Sequence, residues 1–262
     1  MTSIQERIKH NMIVMREHMS GVCPRIVFER TPRVIRYESD LPHPVYNRVI
    51  AYSAAASEDV QGDVGCIAER YRTRKVPFTW LTWEHDAGAA GLTKALAAHG
   101  LNKVDEVSGM SLSLTGWTHE EPAIPGFTVR PVRTQAEMAW FRQIVPPIFG
   151  FQGEAADVLV RINEAAAIGG NPAFRHYAGF VDGQLAAIAT AVRDGETVGI
   201  YNVATLADYR RRGLGSALTA HALREAQASG AQLAVLQSSR MGEGVYRAIG
   251  FSADAAIGVY LG

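Results

Sequence analysis

The 262-residue chain has only two cysteines, Cys23 and Cys66, and they form neither a C-x-x-C pair nor a Cys/His metal spacing. A disulfide framework or a zinc site is therefore not expected, and a reducing cytoplasm fits the composition. An excess of one charge is also missing: 26 lysines and arginines balance 26 acids. Nucleic-acid binding as the main task needs a basic surplus, so only a local site for a small anion stays open. No apolar run reaches the roughly 18 to 20 residues of a membrane span. The opening "MTSIQERIKHNMIVMREHMS" carries charges throughout, unlike a signal peptide. These absences predict a cytoplasmic protein with no membrane partner, no nucleic-acid partner and no metal. What is present is globular: 47% hydrophobic and 20% charged residues, enough to bury a core in one large domain or two ordinary ones.

The clearest seam is "THEEPAIPG" at 118–126, where two acids, two prolines and a glycine interrupt an extended pattern. It predicts two domains, 1–120 and 126–262. In the second half "FTVRPV" reads as a strand, and "QAEMAWFRQIV" and "EAADVLVRINEAAA" read as helices by their three- and four-residue apolar spacing. Residues 176–206 are three β-runs separated by two Asp-Gly turns, a strong hairpin signal. A helix from Gly213 to about Ser229, the strand "LAVLQSS", the short helix "GEGVYRAIG" and a last extended segment follow. The first half repeats part of this order: a helix, three β-runs, a helix over about 60–73, the strand "PFTWLTW", the helix "GAAGLTKALAAHG" and the strand "VDEVSGMSLSL". Strands alternating with helices predict an α/β (α+β) sheet fold in two topologically similar halves.

The motif that carries chemistry is "RRRGLGSAL", which follows the strand "VGIYNVATL" and opens a helix. A helix N-terminus presents backbone N–H groups without intrahelical partners, glycines let a phosphate approach, and arginines add charge. A P-loop is excluded because its lysine is missing. The dinucleotide fingerprint is half met, with Leu218 where a third small residue belongs and no acid about twenty residues on.

Arg210, Gly213 and Gly215 fit the run [RQ]-x-x-G-x-[GA] between a strand and a helix, and "VYRAIGF" at 245–251 fits a Tyr-x-x-x-Gly-Phe element. In these motifs, and in the order of elements over 127–262, the second half resembles the GNAT superfamily of N-acetyltransferases. The resemblance implies a GNAT-like mixed twisted sheet flanked by helices and acetyl-CoA as co-substrate. It places the pyrophosphate on Arg210, Arg211, Arg212, Gly213, Leu214, Gly215 and Ser216. Main-chain atoms of Asn202, Val203 and Ala204 would hold the pantetheine arm, with Ser239 as a further cofactor contact where many members carry asparagine. It makes Tyr246 the acid toward the departing sulfur. The same tyrosine, one turn from Ile249, also reads as core packing.

The base is not readable: Glu154, Asp157, His176, Asp208 and a water chain all qualify. Trp140, Phe141, Phe149 and Phe151 are candidates for an acceptor pocket and name no substrate. The first half's counterpart of the phosphate loop lacks the arginines and offers Glu58, Asp59 and Asp63, so it is expected to repel a pyrophosphate. The expected activity is acetyl transfer to a small-molecule amine by a monomer or homodimer. Transfer to a protein or peptide amine, and a non-catalytic acetyl-CoA sensor, are the alternatives.

Overall fold

A computed structural model describes residues 2–120, 123–171 and 173–262, so Glu121 and Pro122 of the seam lie outside the described residues. The chain divides into two compact units, and both are discontinuous in sequence: Met1–Met15 with Met110–Ser252, and Arg16–Gly109 with Ala253–Gly262. Helix α1 (Ile4–Gly21) contributes to each, its first residues to the first unit and the rest to the second.

The first unit is built on β6 (Phe127–Val132), β7 (Phe174–Val181), β8 (Gln184–Asp194), β9 (Thr197–Thr205) and β10 (Leu233–Ser239). The first four form an antiparallel meander whose hairpins turn at Asp182-Gly183 and Gly195, all three residues at positive φ. β10 joins β9 in parallel after α6 (Leu214–Ala228) crosses over, and its other neighbour is the end of β5 (Asn102–Ser113). Leu214, Leu218 and Leu223 of α6 are fully buried against alanines of β8, so the apolar stripe read from the sequence is the helix's core face. Helices α4 (Met138–Ile148) and α5 (Gly153–Ile168) follow β6. The periodicity predicts α4 from residue 135. It begins at Met138 because Glu137 accepts from the N–H groups of Arg133 and Thr134, at 2.9 and 3.1 Å, and holds 134–137 as a turn.

The second unit orders its strands as β1 (Val27–Arg30), β2 (Val34–Glu38), β3 (Arg48–Tyr52), β4 (Thr79–Trp83), β11 (Ser252–Leu261) and β5. Tyr71 of helix α2 (Val60–Thr73) and Leu92 and Leu96 of α3 (Ala89–Ala98) cluster with Trp80, Phe78 and Val49, a second core separate in its residues from the first. The strand beside β4 is β11, paired antiparallel from Ile257↔Trp83 to Leu261↔Thr79. Each unit thus completes its sheet with a strand whose sequence belongs to the other half. Among the described residues no helix is long and apolar enough to cross a membrane.

Candidate active site

The site begins with a break in the sheet of the first unit. β9 and β10 pair only from Leu233↔Thr197 to Leu236↔Ile200, and past that point the two strands carry no mutual register. At the same level β9 bulges: Ile188 faces Ala204 and Thr190 faces Tyr201, so Asn202 and Val203 together oppose Ala189. Asn202 holds φ +53°, rare for a residue with a side chain. Its side-chain amide donates to Thr190 Oγ1 at 3.0 Å, and Thr190 meets Nδ1 of His176 at 2.8 Å. Nε2 of His176 lies 3.3 Å from the carbonyl of Asn163. One neutral tautomer satisfies the whole chain, with Nε2–H donating to Asn163 and Thr190 donating to Nδ1. Complete burial pushes His176 down to about 4, so it stays neutral and holds the bulge from behind. His176, one of the candidate bases, therefore stands here as a structural group.

Beyond the bulge, β9 leads through a short turn at Ala207–Tyr209 into the arginine loop. Arg211 and Gly213 take φ +60° and +81°, so the backbone alternates in hand where it enters α6. Gly213 is the N-cap, no side chain caps the helix, and the first intrahelical bond runs from Ala217 to Gly213. The N–H groups of Leu214, Gly215 and Ser216 are thereby left for a ligand. A Cβ at Gly215 would meet nothing closer than 3.8 Å, and at Gly213 only Ile124 Cδ1 at 3.6 Å. Both glycines keep an open surface here. A cavity of about 620 Å³ lies at this end of the helix, lined by His119, Ile124, Arg212, Gly213, Ser216 and Ala248.

The sequence-predicted residues divide by role in this geometry. Arg210 turns back and donates from Nε to the Thr205 carbonyl at 3.1 Å, bracing the loop, whereas Arg212 covers Tyr209 with its guanidinium 5.7 Å from the ring. Leu214 and Ala204 are both buried, so neither side chain is open to solvent. Ser238 is buried and bonds the Ser239 carbonyl, while Ser239 is exposed. Gln237, which sequence reasoning passed over, is the first residue of β10 beyond the last pair, and its side-chain nitrogen is buried without a partner among the described residues. The only prior signal for it was its place in a strand otherwise apolar up to that point.

Tyr246 lies on α7 (Glu243–Ile249), half-buried, with its ring edge-on to Phe251 at 6.0 Å. Burial pushes its phenol up to about 12, which keeps it a donor at neutral pH. No protein group among the described residues bonds its hydroxyl, whereas the ring is held by packing. Of the carboxylates considered as bases, Asp157 is paired with Arg142 at 2.6 Å, and that hydrogen bond holds it below the usual range. Asp208 is exposed in the turn before the loop. Among the aromatic candidates Phe141 packs on His176 in the core and Phe151 is buried. Trp140 lies between Arg130 and Phe180, and Phe149 is 47% exposed.

The second unit gives the contrast. Its parallel pair β3 and β4 also stops early, after Arg48↔Thr79 and Val49↔Trp80. There Trp83, fully buried, donates its indole N–H to the Ile50 carbonyl at 2.8 Å and fills the gap. At the start of α2, Asp59 accepts from Gly62 N at 2.9 Å, which consumes a helix N–H. Asp63 receives Tyr52 and Ser57 at 2.7 Å each and Arg33 at 3.0 Å. Burial works against its charge, but those hydroxyls and Arg33 outweigh it and hold Asp63 below the usual range. In this unit the start of α2 and the gap between β3 and β4 are occupied by its own carboxylates and indole.

Residues 140–251 match the model of the acetyltransferase (GNAT) family. The whole chain shares its fold with a GCN5-related N-acetyltransferase from Kribbella flavida: 20% identity, TM-score 0.72, covering 100% of this chain and 96% of that one. A tandem GNAT protein from the clavulanic acid biosynthesis pathway aligns at 14% identity and TM-score 0.62 over 98% and 94% of the two chains. A GCN5-related N-acetyltransferase from Sphaerobacter thermophilus aligns at 13% identity and TM-score 0.65 over 89% and 81%. No curated protein matches the chain by sequence. The α/β class and the GNAT-like mixed sheet expected from the sequence are those of these structures.

Proposed function

With a domain of the GNAT acetyltransferase family at residues 140–251 as the premise, we propose that the chain transfers an acetyl group from acetyl-CoA to an amine of a small molecule. The observation that carries this reading is the alignment, on one strand and the loop after it, of two features a CoA ester needs. One is the stretch Asn202–Ala204, bulged at Asn202–Val203 and without register on its β10 side, and the other is the uncapped start of α6 behind Arg211–Gly213. The loop's N–H groups and the arginine charge would take the pyrophosphate, and the pantetheine arm would pair with the free main-chain edge of β9 between the parted strands.

The amine nitrogen attacks the thioester carbonyl carbon, the C–S bond breaks, and the nitrogen loses a proton to solvent or a basic group. Main-chain N–H groups at the bulge are placed to stabilise the oxyanion. Tyr246 donates to the departing sulfur. A phenol near 12 facing a thiol near 8.5 makes full proton transfer uphill by about 5 kcal/mol. Its contribution is therefore mainly a hydrogen bond to the thiolate as charge develops, and solvent supplies the final proton. The second unit, with its equivalent openings closed, acts as scaffold and not as a second acetyl-CoA site. In this reading residues 1–120 and 126–262 are two GNAT-like halves by sequence, whose compact units exchange short segments, and the protein is expected to work as a monomer or homodimer in the cytoplasm.

The test is thiol release from acetyl-CoA by the purified chain against a panel of small amines and peptides. Turnover on a small amine supports the reading, and turnover on peptides alone replaces the acceptor class. Binding without turnover on any amine supports a sensor, and no acetyl-CoA binding by calorimetry overturns the reading.

A further inference from the structure

Within the second unit, two arginines and a buried tyrosine gather with no carboxylate among the described residues to receive them. Tyr37 on β2 and Arg48 on β3 are direct partners in the antiparallel pairing, which puts their side chains on one face of the sheet and side by side. Arg16 of α1 places its guanidinium 5.9 Å from the centre of the Tyr37 ring. The Tyr37 hydroxyl and Nε of Arg16 are both buried without a hydrogen-bond partner among the described residues. Arg48 donates from Nε to Thr79 Oγ1 at 2.7 Å, and Arg16 reaches only the Met19 sulfur at 3.7 Å.

Among the described residues no carboxylate pairs with either arginine. Arg25, Arg30, Arg33, Arg36, Arg70 and Arg74 of the same unit all have one. Arg72 of the same unit also lacks a carboxylate, but it donates to the His99 carbonyl at the surface, so Arg16 and Arg48 are the pair set against a buried phenol. Burial, together with the charge of Arg16, holds Arg48 below the ordinary arginine range. The nearby His43 is likewise held down, by burial and then by Arg48, so it adds no charge at neutral pH. Two like charges beside a buried phenol, with Arg16 Nε and the Tyr37 hydroxyl unpartnered and no counter-charge among the described residues, are costly unless an oxyanion arrives.

We propose that Arg16, Tyr37 and Arg48 form a binding site for the oxyanion group, carboxylate or phosphate, of a small molecule. The guanidinium forks match two oxygens each, and the Tyr37 hydroxyl donates to one of them. The site uses none of the residues assigned to acetyl transfer, and it stands whether or not that activity does.

The experiment is calorimetry and thermal melting of the full chain with inorganic phosphate and with citrate, at ionic strength fixed with chloride. Saturable binding of at least one probe is expected. Arg48→Gln and Tyr37→Phe should weaken it tenfold or more, whereas Gly213→Asp, which disables the loop before α6, should leave it unchanged. Tighter phosphate assigns a phosphoryl group and tighter citrate a carboxylate. The proposal is overturned if neither probe saturates on the parent protein. It is equally overturned if Gly213→Asp abolishes binding while Arg48→Gln and Tyr37→Phe do not change it. Should Arg48→Gln not fold, Tyr37→Phe, which deletes one unpartnered oxygen, decides alone.

Discussion

Replacing Gly213 by alanine, asparagine and aspartate separates backbone strain from charge at the start of α6. Gly213 holds φ +81°, and a Cβ there meets only Ile124 Cδ1 at 3.6 Å, an ordinary contact. Alanine therefore brings little steric clash and a left-handed cost of about 1–2 kcal/mol, which lowers the melting temperature by roughly 2–8 °C for a chain of this size class. Asparagine tolerates that conformation better and should melt closer to the parent protein. Aspartate has asparagine's shape but adds one negative charge beside the expected pyrophosphate. A charge of −1 against about −2 at roughly 5 Å, in a partly wet setting of effective dielectric about 60, costs about 2 kcal/mol. Calorimetry should show acetyl-CoA binding to Gly213→Asp about 30-fold weaker than to Gly213→Asn, with the gap narrowing at high salt. Equal affinities for the two variants would refute the claim that this loop holds an anion. A low affinity already present in Gly213→Asn would mean that backbone approach, not charge, governs the site.

Tyr246→Phe should lower turnover well over tenfold in a thiol-release assay while the calorimetric affinity for acetyl-CoA stays within about twofold. Unchanged turnover would make Tyr246 a packing residue of the α7 face. His176, about 4 in the folded protein against an ordinary 6.5, gives stability that is complete above the unfolded value and lost as pH falls toward 4. The loss is on the order of 3 kcal/mol, and His18 and His43, also lowered by burial, act in the same direction. Denaturant melts of His176→Gln should therefore show a flatter stability profile between pH 6.5 and 4.5 than the parent, and identical slopes would contradict it. Trp83→Ala should destabilise the second unit by about 3–5 kcal/mol, read from urea unfolding, because it empties a buried site and leaves the Ile50 carbonyl unpaired. A loss under 1 kcal/mol would show that the gap between β3 and β4 closes without it.

Local chemistry was legible in the sequence and long-range pairing was not. The strands "FTVRPV" and "LAVLQSS" and the helix over 60–73 are found at the residues expected, because alternation and helical spacing are properties of a few neighbours. The arginine loop was legible for the same reason, since glycine position and helix onset are adjacent. The bulge at Asn202 was legible only as an expected main-chain site. Its positive φ depends on Thr190 and His176, 12 and 26 positions away, and no run of residues announces it. Trp83 lies in the strand "PFTWLTW" read from the sequence, but its bond to Ile50 across the parted strands needs the fold. Arg48 carried no signal at all, because a missing counter-charge is visible only when the neighbours are known.

The placement of Ala253–Gly262 beside β4 has a consequence for synthesis. A ribosome that has released residues 1–109 has released most of the second unit, yet the strand that belongs against Thr79–Trp83 is still some 140 residues from being made. During that interval the exposed edge of β4, with Trp80 and Leu81 in it, can pair with any strand that is available. The segment of β5 that follows in sequence is the nearest such strand, so the halves should first close on themselves and exchange partners when the last ten residues appear. Expression of 1–120 alone, or removal of 253–262, would then leave an edge open for self-association, and a peptide of those ten residues should suppress it.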